Sequence, residues 1–235
     1  VEALQLGGFD LLSLANNHSL DYGSEGLIDG MSRLNAGGIR TVGAGENLAS
    51  ARQPELFDIN GLSFAFLSYA NVPIEFNGFD VESWEATADR PGLAWGRVYL
   101  IADDVRAIRD EVDHVIVLLH TGTEYQRNPS PIQRQLSEIA IVAGATLVVN
   151  HHTHVLQPIE PFSEGIIAYG LGNFAFDIDG DPASVIMQAT FDRSGLVGIE
   201  LIPAVIVPGG RPRPATPEES QRILDLLEWN DQSLD

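Results

Sequence analysis

Apolar runs of strand length alternate with helix-like repeats along the first two thirds of the chain. The runs cover residues 9–15, 62–69, 115–119 and 146–149. Elsewhere apolar side chains recur every three or four residues, which is the spacing of an amphipathic helix. The pattern predicts helices at 1–6, 24–36, 101–112, 130–144 and 217–229.

The pattern changes after residue 154. Short β runs follow at 166–170, 184–192 and 196–207, and a tight turn joins the last two as a hairpin. We expect loops at 43–45 and 71–96 and a linker-like tail at 209–217. Early βα alternation followed by antiparallel hairpins predicts a two-sheet α/β sandwich. With 44% hydrophobic residues, a chain of 235 residues is long enough for a single domain over 1–235.

Imidazole and carboxamide side chains follow three of the predicted strands. Asn17 and His18 come after residues 9–15, His120 comes after 115–119, and His152 and His154 come after 146–149. Open α/β folds keep their sites at the carboxyl edge of the sheet, and these side chains suit divalent metals. The sequence therefore predicts that Asn17, His120, His152 and His154 converge at a composite metal site.

Each of these residues also has a plain structural explanation. Asparagine often closes a turn, and a histidine at a strand end is often no more than hydrogen-bonded structure. His152 and His154 are the sharper pair, because alternate residues of an extended segment share a face. On that geometry His151 faces away in a supporting or structural role. His114, which opens a strand, is expected at the surface.

Composition removes several classes of function. The formal net charge is −20, and all 13 basic residues are arginine. A surface this acidic repels phosphate backbones, so nucleic acid is not expected as a partner. The chain contains no cysteine, which excludes disulfides, thiolate metal sites and cysteine nucleophiles.

Several segments, in the same order along the chain, resemble the CapA/PgsA poly-γ-glutamate biosynthesis family of the calcineurin-like metallophosphoesterase superfamily. Residues 120–125 resemble that family's His-Trp-Gly-x-Glu-Tyr block, and residues 169–174 resemble its Tyr-Ser-Leu-Gly-Asn-Phe block. The remaining similar segments are 12–18 with Asp21-Tyr22-Gly23, 144–157 and 210–215. The similarity therefore extends over nearly the whole chain.

The resemblance implies a metallophosphoesterase-like α/β/β/α sandwich of two mixed β-sheets flanked by helices. It also implies two divalent ions (Mn, Fe or Zn) that activate a hydroxide and clamp a phosphoryl, acyl or amide group. The metal ligands would be Asn17, His120, His152 and His154. The catalytic residues would be His18 as general acid, Asp21, and Glu124, which could orient an imidazole or bind substrate.

The biological role implied is synthesis, export or attachment of a poly-γ-glutamate capsule at the extracytoplasmic face of the cell membrane, with a cytoplasmic location left open. Substrates would be a polyanionic polymer or a phosphorylated small molecule, and a membrane polymer synthase would be a partner. Two alternatives remain: a soluble metal-dependent phosphoesterase unconnected with polymer, and a non-catalytic scaffold of a polymer-synthase complex.

Three residues depart from the family pattern without removing a ligand: Thr121, Asn150 and Thr153 replace Trp, Gly and Pro. The family's opening strands, with their Gly-Asp and Asn-Leu-Glu motifs, do not occur in residues 1–235. Those motifs would supply carboxylate ligands. We therefore expect an N-terminal segment, in cis or on another chain, to complete the domain, and the four neutral ligands alone to bind metal weakly.

Overall fold

The computed structural model describes residues 1–74, 78–177 and 180–229. In chain order its strands are β1 (Leu11–Ser13), β2 (Arg40–Val42), β3 (Ala44–Gly45), β4 (Glu55–Ile59), β5 (Leu62–Asn71), β6 (Gly92–Leu93), β7 (His114–Thr121), β8 (Leu147–His151), β9 (Leu156–Phe162), β10 (Gly165–Leu171), β11 (Ala183–Asp192), β12 (Gly195–Val207) and β13 (Arg211–Pro214). The helices are α1 (Glu2–Leu6), α2 (Gly23–Ala36), α3 (Leu48–Ala51), α4 (Val98–Ile108), α5 (Pro131–Ala143) and α6 (Pro217–Leu227), with a 3₁₀ turn at Val81–Trp84.

The largest sheet has six strands in the order β4-β5-β7-β8-β10-β9. Its four inner strands are parallel to one another, and β4 and β9 run antiparallel at its two edges. Inner parallel strands are covered on both faces, which explains why β7 and β10 are almost continuously apolar.

Alternate residues of these inner strands enter two different cores. Leu67, Val117 and Ile167 face one way and pack in a cluster with residues of α4 and α5. Phe64, Ile116 and Ile166 face the other way and pack with residues of β11, β12 and α6. Because side chains of a strand alternate between its faces, the six-stranded sheet forms a middle layer between helices and a second sheet.

The second sheet consists of β11, β12 and β13, so the predicted two-sheet α/β sandwich is confirmed. One detail differs, because the three strands of this smaller sheet are antiparallel rather than mixed. Their connections explain this, since short hairpins can join only antiparallel strands. The tail expected to be linker-like is also structured, because Arg211–Pro214 pairs with the end of β12.

Local boundaries show where sequence periodicity was insufficient. Residues 43–45 do not form a loop, because Ala44 and Gly45 pair with β6. Helix α2 begins at Gly23, one residue before the predicted start, with Tyr22 as its N-cap residue. Helix α4 spans Val98–Ile108, so it begins and ends before the predicted bounds of 101 and 112. Strand β9 escaped prediction, because its two prolines resemble loop residues and an edge strand tolerates them.

Helix α5 shows how local sequence fixes an element close to the candidate site. Ser130 caps the helix, Pro131 is its first residue, and the Ser130 hydroxyl accepts a hydrogen bond from the Gln133 backbone at 3.3 Å. The Gln133 side chain accepts from the Ser130 backbone in return, completing a capping box. Ser130, Pro131 and Gln133 therefore determine where α5 starts, and this start is close to the predicted one at residue 130.

Candidate metal centre

His120 and His151 lie side by side because of strand register. Parallel pairing of β7 with β8 sets His120 opposite His151, and the two Nδ1 atoms are 2.6 Å apart. The expectation that His151 faces away from the other ligand candidates is therefore wrong. It fails because His151 is still part of β8 and lies on the same sheet face as His120, while the chain turns only after it.

The segment that carries His152 and His154 is not extended, contrary to the assumption behind their pairing. Both residues have positive φ, 102° for His152 and 60° for His154. The rings nevertheless approach each other, with centroids 6.3 Å apart, and the His152 ring lies 4.8 Å from that of His120. The proximity comes from a tight loop after β8 rather than from strand alternation.

Asn17 and His18 lie in a turn after β1, and their side chains have opposite environments. Asn17 is buried and its Oδ1 lies 2.8 Å from Nε2 of His120. His18 is exposed, and its Nδ1 lies 3.1 Å from a carboxylate oxygen of Asp21. Asn16 holds the turn, since its Oδ1 accepts from the His18 backbone at 2.7 Å. Asn17 therefore faces the histidine cluster, and His18 faces solvent.

The side chain of His154 lies at the edge of the histidine cluster and is surrounded by polar and aromatic side chains. Its Nδ1 lies 2.7 Å from Oδ1 of Asn173, and its Nε2 lies 3.9 Å from a carboxylate oxygen of Glu124. The rings of Tyr125 and Phe176 stack on it at centroid distances of 5.7 and 5.6 Å. Glu124 therefore lies beside a ligand candidate, and its catalytic role stays a prediction.

Successive contacts bring Asn17, His120, His152 and His154 together, and their role as metal ligands stays a prediction. The structure adds His151 and Asn173, which sequence reasoning had not placed in the site. Asn173 follows β10 just as Asn17 follows β1, so its position after a parallel strand was the available signal. His114 stands apart and is buried rather than at the surface, where its Nε2 donates to the backbone oxygen of Asp192.

Burial keeps the imidazoles of His120, His151 and His152 neutral. It lowers the pKa of His120 well below the ordinary value, with further lowering from the neighbouring His151, His152, His154 and His18. Burial also lowers the pKa of His151 and of His152 to about 4. Neutral rings retain a nitrogen lone pair at neutral pH, which is the form that binds a metal ion.

The donor chemistry of the cluster fits a first-row divalent ion. His152 presents a buried Nδ1 that has no hydrogen-bond partner within the described residues, and a buried polar atom without a partner requires an explanation. The described residues do not, however, contain three His, Cys, Asp or Glu side chains arranged around one ion position. The cluster is thus a partial set of neutral ligands.

A buried amide network connects this site to α5. Gln133 donates to Oε1 of Gln157 at 2.8 Å and to the backbone oxygen of Tyr169 at 2.7 Å. Gln157 in turn donates to the backbone oxygen of Gln126 at 2.7 Å. The backbone of Tyr125 is tied to that of Thr153 at 2.8 Å. The loop that carries Glu124 is therefore fastened to the loop of the histidine pair.

With this geometry established, comparison with known proteins identifies the family. Residues 1–178 match the model of the bacterial capsule synthesis protein PGA_cap. The chain is 32% identical over 222 residues to the capsule biosynthesis protein CapA of Bacillus anthracis, covering 92% of this chain and 52% of that protein. The chain belongs to the PGA_cap family. All the ligand candidates lie within the matched residues.

Two further comparisons define the extent of the similarity. The PGA biosynthesis protein CapA of Bacillus subtilis strain 168 is 33% identical over 206 residues, covering 86% of this chain and 52% of that protein. This PGA_cap chain thus spans about half the length of the curated relatives it matches. A candidate 5'-nucleotidase from Staphylococcus aureus shares the fold, with a TM-score of 0.55 at 16% identity over 94% of this chain and 42% of that one.

Proposed function

We propose that this chain carries a divalent-metal hydrolase site of a CapA-type protein that acts in the synthesis, export or attachment of a poly-γ-glutamate capsule. The observation that supports it best is the clustering of the His120, His152 and His154 rings beside Asn17, together with a buried Nδ1 of His152 that has no hydrogen-bond partner within the described residues. Membership of the PGA_cap family and the names of the two CapA relatives support the capsule context.

In this proposal Asn17, His120, His152 and His154 hold the metal. A bound divalent ion would lower the pKa of a water molecule bound to it and would withdraw electron density from a phosphoryl, acyl or amide group. The nitrogen lone pairs are available because burial lowers the pKa of His120 and His152. The protein's own contribution is to keep these rings neutral and fixed before any ion binds.

His18 is proposed as the general acid, with Asp21 as the group that orients it. The Asp21 carboxylate lies 3.1 Å from Nδ1 of His18, so that nitrogen carries a proton and points inward to the turn. To act as a general acid, the ring would also carry a proton on Nε2 and would deliver that proton to a leaving group, while Nδ1–H stays with Asp21. Glu124, close to Nε2 of His154, is proposed to orient that ring or to bind substrate.

The ligand set also leads to a proposal about what completes the site. Four neutral donors do not offset the charge of two dications such as Mn, Fe or Zn. We therefore propose that carboxylate ligands come from protein outside residues 1–235, either in cis or from a second chain.

Within the described part of the chain, no helix is long and apolar enough to cross a membrane. The partners proposed are a polyanionic polymer or phosphorylated substrate and a membrane polymer synthase at the extracytoplasmic face.

The test uses the whole protein that contains this chain. We would measure bound metal by elemental analysis and hydrolysis of a bis-aryl phosphate and of a γ-linked glutamate oligomer. His152→Ala is the site variant, and His114→Gln is a matched control, since His114 is another buried histidine but lies outside the cluster. We expect wild type and His114→Gln to bind metal and turn over substrate, and His152→Ala to lose both.

Other outcomes point to the alternatives. Bound metal without turnover of either substrate would contradict the enzyme and favour a scaffold. Turnover of the phosphodiester by the protein, together with an unchanged amount of polymer in cells that lack its gene, would favour a phosphoesterase unconnected with capsule. Equal metal content in wild type and His152→Ala would contradict the proposed site itself.

A further inference from the structure

His151 has a contact that the proposed function does not use. Its Nδ1 lies 2.6 Å from Nδ1 of His120, and the ring centroids are 4.6 Å apart at an interplanar angle of 62°. Two neutral imidazoles this close share one hydrogen bond, in which one Nδ1 donates and the other accepts. Strand register fixes this contact, because β7 and β8 pair His120 directly with His151.

The other neighbours of His120 define which nitrogen is available for the site. Its Nε2 lies 2.8 Å from Oδ1 of Asn17. Asn16 is oriented by the hydrogen bond that its Oδ1 accepts from the His18 backbone, so its amide nitrogen faces Nδ1 of His120 at 3.5 Å. Nδ1 of His120 is therefore enclosed by protein, and Nε2 faces the candidate ligand Asn17.

We infer that His151 is a positioning residue that holds His120 by its Nδ1, so that Nε2 is the nitrogen presented to the site. The consequence of this inference for metal binding rests on the proposed function, whereas the contact between His120 and His151 does not depend on it. A histidine that binds a metal through one nitrogen needs a partner for the other, which fixes both the tautomer and the ring angle. An imidazole is well suited to this task, because its Nδ1 can accept or donate.

The proton count balances in both states. Without metal, Nε2–H of His120 donates to Asn17 and Nδ1–H of His151 donates to Nδ1 of His120. When a cation takes Nε2 of His120, that ring carries its proton on Nδ1 and donates to Nδ1 of His151, whose own proton is then on Nε2. Each ring carries one proton in both states; the proton released from Nε2 of His120 would go to solvent, and His151 would take up its new Nε2 proton from solvent.

Two substitutions separate positioning from simple packing. His151→Phe preserves a planar ring but removes both nitrogens. His151→Asn sets a carboxamide oxygen near the position of Nδ1 and restores an acceptor. In the whole protein we expect Co²⁺ affinity to fall ~10–100-fold for His151→Phe and to return to within about threefold of wild type for His151→Asn. A packing role alone would give the reverse order, and that result, or equal affinity of wild type and His151→Phe, would overturn the inference.

A second measurement on metal-free protein keeps the two proposals distinguishable. ¹⁵N spectra of the imidazoles report the hydrogen bond at each ring nitrogen. In wild type we expect a ¹⁵N–¹⁵N coupling across the hydrogen bond between the two Nδ1 atoms of His120 and His151, and in His151→Phe we expect a shifted His120 Nδ1 resonance, because that nitrogen loses its partner. If wild type binds no Co²⁺ but both signals are as expected, the metal function fails and the role of His151 stands. Absence of the coupling in wild type, or an unchanged His120 Nδ1 resonance in His151→Phe, would overturn the inference whatever the metal result.

Discussion

His154 and Asn173 are joined by two hydrogen bonds that together place a proton on Nδ1 of the imidazole. Nδ1 of His154 lies 2.7 Å from Oδ1 of Asn173, and the Asn173 amide nitrogen donates to the His154 backbone oxygen at 3.2 Å. The second bond sets the orientation of the amide, so its oxygen can only accept from Nδ1. His154 therefore carries a proton on Nδ1, and its Nε2 lies 3.9 Å from a carboxylate oxygen of Glu124.

Replacing Asn173 tests whether this tautomer matters. Asn173→Leu removes both hydrogen bonds at similar side-chain volume, and we expect divalent-metal affinity to fall ~10–100-fold because the supporting partner of a ligand is lost. Competition with a chromogenic chelator measures it. Asn35→Leu, an exposed position at the end of α2, is the control. Unchanged affinity in Asn173→Leu would show that His154 does not bind through Nε2.

The buried histidines predict how stability depends on pH in the metal-free protein. Burial lowers the pKa of His152 to about 4, aided by repulsion from His154, His151 and His18, whereas an unfolded histidine titrates near ~6.5. Between these values the unfolded chain binds the proton and the folded chain does not. The stabilisation is therefore complete above pH ~6.5 and is lost as the pH falls towards 4, by about 3 kcal/mol for His152 alone.

Urea unfolding at several pH values from 8 to 4.5 measures this loss. His152→Gln is the matched variant, because glutamine is polar but does not titrate in this range. We expect its free energy of unfolding to decline less steeply than that of wild type between pH 6.5 and 4.5. Parallel curves for the two proteins would mean that His152 is not held neutral by the fold.

Strand positions with strong apolar character were readily predicted from sequence. β5, β7 and β10 bury both faces, so their composition alone separates them from helices. β9 was not predictable in this way, because its stability comes from pairing with β10 rather than from its own proline-containing sequence. The short strands at Ala44–Gly45 and Gly92–Leu93 depend likewise on a partner that is distant in sequence.

The site shows the same division between local and long-range information. The positions of Asn17 and His120 after apolar strands predicted their convergence, although β1 pairs with β2 in a two-stranded sheet separate from the one that contains β7. The role of His151 depends on the register between β7 and β8, which no local pattern reveals. The backbone of His152 and His154 depends on positive φ angles, which non-glycine residues adopt only where the surrounding structure requires it. Periodicity therefore located the ligand candidates without giving their geometry.

The buried amide network near the site predicts a large cost for removing one member. Gln157 is fully buried and bonds to Gln133 and to the backbone oxygen of Gln126. Gln157→Leu would leave one amide hydrogen of the buried Gln133 without an acceptor, which costs about 1–3 kcal/mol, and would also remove the donor to the Gln126 backbone oxygen. Thermal and urea unfolding measure it. Gln221→Leu on the exposed face of α6 is the control, since it loses only a surface contact with Asp225. Equal stability of the two variants would refute the network's contribution.

His18 provides the most direct test of the proposed chemistry. Because its side chain lies outside the buried cluster and pairs with Asp21, we expect His18→Ala to leave bound metal unchanged. A general acid matters in proportion to the leaving group's need for a proton, so turnover should fall ~10²–10⁴-fold for alkyl esters and far less for nitrophenyl esters. Rates across a series of leaving groups in the whole protein, with metal content measured on each sample, supply both readouts. Loss of metal in His18→Ala would assign ligation to His18 instead of Asn17, and an equal loss of rate across the series would exclude His18 as the proton donor.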